Sequence, residues 1–164
     1  MPYPAKVVAN EFIAISKALT PMKLQKLVYF AHGWCLALTG HPLISERIEA
    51  WQYGPVIPAI YHELKRVGNG VITEPISDIR YAGGGKFCRH VFSFNDYPND
   101  EERRHAQEII AKVFEIYGGY SAVRLSNATH MDGTPWQQIY REGVRSVVIP
   151  DDRIETYFKA QAHE

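Results

Sequence analysis

No stretch of this sequence approaches the roughly 18 consecutive apolar residues that a membrane-spanning helix requires. The opening segment, MPYPAKVVANEFIAISKAL, is broken by Asn10, Glu11 and Ser16, so it does not carry the apolar core of a signal peptide. Cysteine is scarce: Cys35 and Cys88 stand far apart and match neither a disulfide framework nor paired metal-ligand spacing. Together these absences predict a cytoplasmic protein with two ordinary thiols. Neither sign of charge is in excess, because 18 basic and 18 acidic residues cancel. A surface built to grip phosphate backbones normally shows a basic excess, so the balance argues against nucleic acid as the main partner. No G-x-S-x-G, H-E-x-x-H or Walker pattern occurs. The Gly-Gly-Gly run at 83–85 precedes a predicted strand and not a helix, which makes a poor phosphate loop.

What the chain does have is core material. Its 164 residues are 46% hydrophobic and 12% aromatic, and a chain of this length buries about 70% of its unfolded surface. No linker or repeat divides it, so residues 1–164 are expected to form one domain. Apolar residues at Val8, Phe12, Ile15 and Leu19 predict a first helix from Pro4 to Leu19. Thr20-Pro21 is a cap followed by a proline, the signature of a helix start. That second helix carries one stripe through Leu24, Leu27, Val28, Ala31, Cys35 and Leu38, and a second through Phe30, Trp34 and Ala37. A helix apolar around most of its girth is normally surrounded by others. Pro21–Leu38, ended by Gly40, is therefore expected to be the hub.

Ile48 to Tyr53 reads as a short strand, with Glu49, Trp51 and Tyr53 on one side. Pro58 then opens a helix carrying Ile60, Tyr61, Leu64 and Val67, stopped at Gly68. Residues 69–98 read as irregular, with one strand at Phe87–Phe94. A clear helix begins near Asn99 and carries Ala106, Ile109, Ile110, Val113 and Tyr117 on one face. Ser121 caps a short helix running towards His130, and Thr134-Pro135 starts another holding Trp136, Ile139 and Tyr140. Ser146–Pro150 is a short strand or extended link, and a last helix begins at Asp151. The expected fold class is α+β, mainly helical. Five or six further helices surround the central one, with a small antiparallel sheet of two or three strands.

Two readings of the chemistry compete. Pro55 prevents Gly54 from continuing a helix, and Gly54 can take positive φ, so 51–58 describes a rigid corner. Trp51 and Tyr53 are then either core aromatics or the border of a binding groove. His130, placed in a loop between two helices, is the best single acid–base candidate, with Glu49 and Tyr53 as partners it could use. The favoured reading is a buried, hydrogen-bonded structural histidine. His32 and Cys35 have a spacing that two metal ligands could use, but no second pair accompanies them, so no metal and no cofactor are expected. Lys23 and Lys26 make a positive spot on the central helix, while Arg103 and Arg104, beside Glu101 and Glu102, read as a solvated face. On the residues alone, a binding protein is favoured over an enzyme.

Three separated segments add a resemblance. MKLQKLVYFAHGWCLALTGHPL (Met22 to Leu43), IEAWQYGPVIPAIYHELK (Ile48 to Lys65) and LSNATHMDGTPW (Leu125 to Trp136) resemble, in order and spacing, the SocA-like antitoxin domain called Panacea, often labelled phage-associated. The likeness covers about residues 5 to 160. It implies a non-catalytic antitoxin that binds a cognate toxin protein and neutralises it; in one branch of the family the antitoxin also hands the toxin to a protease. Carried over by position, the family's marked residues fall on Lys23, Leu24, Gln25, Lys26 and Tyr29. In the second motif they fall on Trp51, Tyr53, Gly54, Pro55, Val56 and Tyr61, and in the third on Thr129, His130, Pro135 and Trp136. Of these, Lys23, Lys26, Trp51, Tyr53, His130 and Trp136 are the candidate binding residues, and the others read as caps, turns and core. Some relatives carry an additional N-terminal DNA-binding segment. Here the first motif begins by Met22, so operon autoregulation by this chain alone is not expected. The alternative function is a small-ligand site or enzyme using the Trp51, Tyr53 and His130 neighbourhood.

Overall fold

The computed structural model describes residues 2–162. Its centre is helix α2 (Pro21–Thr39), which starts where Thr20 accepts a hydrogen bond from the Lys23 amide and ends at Gly40 with φ 73°. Every residue from Leu24 to Gly33 is buried, which no amphipathic surface helix could sustain. Helices α1 (Ala5–Ile15), α3 (Pro58–Leu64), α4 (Asp100–Tyr117), α5 (Ala122–His130) and α7 (Asp151–Gln161) pack around it. The short α6 (Pro135–Ile139) bridges α5 and α7. The expectation of a mainly helical α+β fold around this hub holds, except that Leu38, the last residue of the predicted stripe, is exposed.

One close approach shapes the hub. The ring of Phe158 lies where a Cβ on Gly33 would sit, so α7 reaches the backbone of α2 at that point. Phe158 then meets Trp34 and Tyr29 edge to face, with centroids 5.3 and 5.8 Å away, the arrangement that ring quadrupoles favour.

Helix α1 stops at Ile15, four residues before the predicted end. The Ser16 hydroxyl accepts from the Ala18 amide, a local bond that competes with helix propagation. Leu19 is buried, but outside the helix. The caps Asn99, Ser121 and Thr134 accept from the amides of Glu102, Arg124 and Gln137, as their sequence positions suggest. His130 is the last residue of α5 and not part of a loop.

The strands form two separate two-stranded ladders. Strand β1 (Glu49–Trp51) pairs with β2 (Gly54–Val56), so the predicted strand Ile48–Tyr53 ends at Trp51 and turns back. Gln52 and Tyr53 keep negative φ, and Gly54, at φ 113°, supplies the positive φ that a hairpin this tight requires. Residues 147–149 extend this patch, with Ala50 donating to the Val147 carbonyl and Ile149 to the Ile48 carbonyl, both at 2.8 Å. The second ladder, β3 (Ser77–Gly83) with β4 (Lys86–Val91), corrects the reading of 69–98 as largely irregular. Its turn is the glycine run, with positive φ at Gly83, Gly84 and Gly85. Among the described residues, no helix is long and apolar enough to cross a membrane.

Candidate functional site

The three motif segments meet at the β1–β2 hairpin. Lys26 lies in the second turn of α2, is 1% exposed, and donates from Nζ to the Pro55 carbonyl at 3.0 Å. Next to it in the chain, the Gln25 amide bonds both backbone groups of Ile57, donating to its carbonyl at 3.1 Å and accepting from its amide at 2.9 Å. Two adjacent polar residues of the hub thus hold the end of the hairpin by its backbone. Burial with no carboxylate alongside lowers the Lys26 pKa to about 7. A Cβ on Gly54 would lie 2.7 Å from Thr129 Oγ1 and 3.0 Å from Lys26 Nζ. Gly54 is therefore required twice, for its φ and for the space that α5 and Lys26 occupy.

Above this point an aromatic stack closes the site. The His130 ring lies on Trp136, 3.9 Å between centroids and 13° from parallel, and Trp136 lies on Tyr140 at 4.6 Å. Trp136 Nε1 donates to the Trp51 carbonyl at 2.6 Å. Trp51 Nε1 donates to the buried carboxylate of Glu49 at 2.9 Å, and Arg47 Nε donates to the same carboxylate at 2.7 Å. The outer face of Trp51 meets Tyr61 edge to face, with the Arg145 guanidinium 4.0 Å from its ring. His130 has its pKa lowered, first by burial and then by the nearby Lys26, while contact with the Tyr53 backbone pulls the other way. Its Nε2 is buried and has no hydrogen-bond partner among the described residues.

Of the predicted site residues, Lys26, Trp51, His130 and Trp136 converge, together with Gln25, Gly54, Pro55, Tyr61, Thr129 and Pro135. Thr129 donates to the Ser126 carbonyl, and Thr134 to the Thr129 carbonyl, which ties the end of α5 to α6. Tyr53 joins only through its backbone, whose carbonyl accepts from Ser126 Oγ at 2.7 Å; its side chain is 60% exposed, so it is not a core aromatic. Glu49 is committed to Arg47 and Trp51, so the suggested His130 partnership with Glu49 is not present. Lys23 lies elsewhere, donating to the Gly118 carbonyl at the end of α4. Tyr29 is core, and burial raises its phenol pKa. His32 is also structural: Nδ1 accepts from the Ile44 amide at 3.3 Å, leaving Nε2 to donate to Asp151 at 2.8 Å.

Two residues escaped the sequence reading. Arg145 sits in a polar loop, and nothing local marks it. Asn10 carried a signal: it falls three residues after Val7 on the buried side of α1, where a polar residue needs partners. It has them, donating at 2.8 Å to the carbonyls of Ile76 and Phe92 and accepting from the Ile76 amide at 2.7 Å. An apolar groove of about 640 Å³ lies apart from all of these, between α2 and α4, lined by Trp34, Leu38, Ile109, Val113 and Ile116 among others.

Comparison with known proteins agrees with the convergence of the three motifs. Residues 24–137 match the family described as "Antitoxin SocA-like, Panacea domain". A Caulobacter vibrioides protein named antitoxin SocA is 32% identical over 140 residues, covering 82% of this chain and 69% of its own length. No solved structure matches.

Proposed function

This chain belongs to the SocA-like antitoxin family with a Panacea domain, and on that premise we propose that it is an antitoxin that neutralises a cognate toxin by binding it directly, without catalysis. The observation carrying this reading is the family match over residues 24–137, which takes in the second and third motifs and all of the first but Met22 and Lys23. The reading treats residues 1–164 as one domain working in the cytoplasm. It gives the motif residues a supporting role: Lys26, Gln25, His130 and Trp136 hold the β1–β2 hairpin onto the hub. A reactive amine must reach a substrate, but Lys26 Nζ is bonded to the Pro55 carbonyl in the space under Gly54. The rival, a small-ligand site, has in its favour the convergence of Trp51, His130 and Trp136 and the orphaned Nε2 of His130. Against it, the Tyr53 side chain is exposed and Glu49 is taken.

The test is co-expression with the product of the adjacent gene. Expression of that product alone should arrest growth, the chain should restore growth, and the two should co-purify. A harmless neighbour that forms no complex would remove the reading. Delivery to a protease, the finer form of the proposal, predicts that the neighbour's half-life shortens when the chain is present. Neutralisation with an unchanged half-life leaves direct binding as the whole mechanism.

A further inference from the structure

Arg145 is exposed, yet its guanidinium has a fixed place. It lies over the Trp51 ring, 4.0 Å from the centroid, and 5.9 Å from the centroid of Tyr61. An aromatic face takes up one side of a guanidinium and leaves its N–H groups free to donate. Among the described residues, no hydrogen bond or ion pair engages those of Arg145. The carboxylate of its own loop, Glu142, pairs with neither Arg145 nor Arg141, and Arg141 donates to the Tyr140 carbonyl at 3.0 Å instead.

The platform under Arg145 is built with some care. Glu49 is 5% exposed, and burying a carboxylate is costly unless it is paired and hydrogen-bonded. Its two bonds, from Arg47 and from Trp51 Nε1, meet that requirement and fix the orientation of the indole. Because Arg47 already balances Glu49, the charge of Arg145 is left over. Residues 141–149 carry Arg141 and Arg145 against Glu142 alone, two positive charges to one negative.

Exposed apolar side chains stand on the same two segments. Val144 is the residue before Arg145, and Val148 forms a bridge with Glu49; they are 46% and 43% exposed. Tyr53, at the tip of the β1–β2 hairpin, is a motif residue whose backbone joins the site while its ring stays in solvent. A held arginine beside an exposed tyrosine has the composition of an interface hot spot. The β3–β4 ribbon exposes larger side chains at Ile79, Tyr81 and Phe87. Its Arg89, however, is already bonded to Glu74 at 3.2 Å and Ser77 at 2.7 Å, so no charge there is left to choose a partner.

We propose that Arg145, held on Trp51 and Tyr61, receives a carboxylate side chain of the toxin, with Tyr53, Val144 and Val148 as the apolar part of the contact. This rests on the antitoxin reading and adds the place and the chemistry of binding. The in-plane N–H groups of an arginine match the two oxygens of a carboxylate, and a guanidinium already held in place loses less freedom when it binds. Trp51 and Tyr61 then serve the partner indirectly, by positioning the arginine.

The experiment uses the full chain and the product of its adjacent gene. Arg145→Glu reverses the charge, Arg145→Lys keeps the charge without the planar fork, and Tyr53→Ser removes the exposed ring. Arg104→Glu, an exposed position on α4, makes the same charge change elsewhere. All these side chains are exposed, so the circular dichroism and melting temperature of each variant should stay close to wild type. Arg145→Glu should bind the neighbour about tenfold more weakly or worse, the loss expected of a hot-spot arginine, and fail to restore growth. Arg145→Lys and Tyr53→Ser should fall between it and wild type, with Arg104→Glu unaffected. Among single Asp→Lys and Glu→Lys changes on the neighbour, one should weaken binding to wild type and recover binding to Arg145→Glu. Wild-type affinity in Arg145→Glu, an equal loss in Arg104→Glu, or a set of neighbour variants without such a recovery overturns the contact and leaves the antitoxin reading standing. Failure of the wild-type chain itself to bind or neutralise removes that reading, and the contact with it. Binding of a labelled single-stranded oligonucleotide that falls steeply with salt and is lost in Arg145→Glu would overturn the assignment to a protein carboxylate.

Discussion

Lys26 Nζ and the Pro55 carbonyl lie 3.0 Å apart with no carboxylate bonded to the amine, joining the second turn of the hub helix to strand β2 of a hairpin. An ammonium in that position keeps one strong acceptor and loses its water. The amine therefore titrates far below its ordinary range, and stability should depend on pH through this one residue.

Folding lowers the Lys26 pKa from 10.5 to about 7. Between those values the unfolded chain holds a proton that the folded chain does not, so stability rises with pH, by about 1.4 kcal/mol per unit. Below pH 7 both states are protonated and the full burial penalty applies. Lys26→Met removes this dependence and orphans the Pro55 carbonyl. Urea unfolding at pH 6.5 and pH 9 should show the difference between wild type and variant moving about 2–3 kcal/mol in favour of wild type at the higher pH. Parallel pH profiles would contradict it.

His130 should report the same charge from a second position. Burial and then the nearby Lys26 lower its pKa, so Lys26→Met should raise it. An NMR titration of the His130 ring in both chains measures the shift. An unchanged midpoint would mean that the two groups do not interact.

Gly54→Ala places a Cβ against Thr129 and Lys26 at a φ of 113°. Strain at such a φ costs about 1–3 kcal/mol, and the overpacking adds a similar amount. The melting temperature should fall sharply, while Ala in place of Gly83, whose Cβ would meet nothing within 4 Å, should be far milder.

Gly33→Ala should destabilise the chain although Ala is the better helix former by about 1 kcal/mol. The new Cβ would lie closer than 3.0 Å to the Phe158 ring, and overpacking of this kind typically costs about 1–3 kcal/mol. Phe158→Leu in the same chain should recover part of the loss. Thermal melts of the single and double variants provide the comparison.

Asn10→Ala leaves the Ile76 amide and two carbonyls without their partner, and an orphaned buried group costs about 1–3 kcal/mol. The loss should be local. Hydrogen exchange at the root of the ribbon, Ile76 and Phe92, should accelerate while the amides of α2 stay protected. Asn10→Asp should fail as well, because a carboxylate cannot donate to the Ile76 and Phe92 carbonyls.

Helices were legible because caps and periodicity are local. Thr20, Ser121 and Thr134 each mark a start that the structure keeps, and the apolar girth of 24–33 announced a hub. The strands were less legible. Ile48–Tyr53 looked like a single strand because alternation does not show where a chain turns back; the Gly54 φ and the Trp51–Gly54 pairing decide that. Of the ribbon, the strand expected at Phe87–Phe94 overlaps β4, while β3 was missed because its apolar face packs on nothing in this chain, so its pattern carried no core to recognise.

At the candidate site, the structure brings together Lys26, Trp51, His130 and Trp136 of the residues the sequence singles out, while Lys23 and the side chain of Tyr53 lie apart. Lys26, His130 and Trp136 stand out as polar or large residues in separated motifs, but partners such as Lys26 with Pro55, 29 residues apart, or Trp136 with Trp51, 85 apart, leave no trace in local order. His130 could therefore be assigned to Glu49 when Glu49 is bound by Arg47 and Trp51. Hydrophobic periodicity and capping chemistry act over one or two turns, and they settled which segments are helical and which helix is central. Which amine is stripped of water, which glycine has no room for a methyl group and which ribbon is left uncovered all depend on distant segments meeting in space. Those properties belong to the packed molecule.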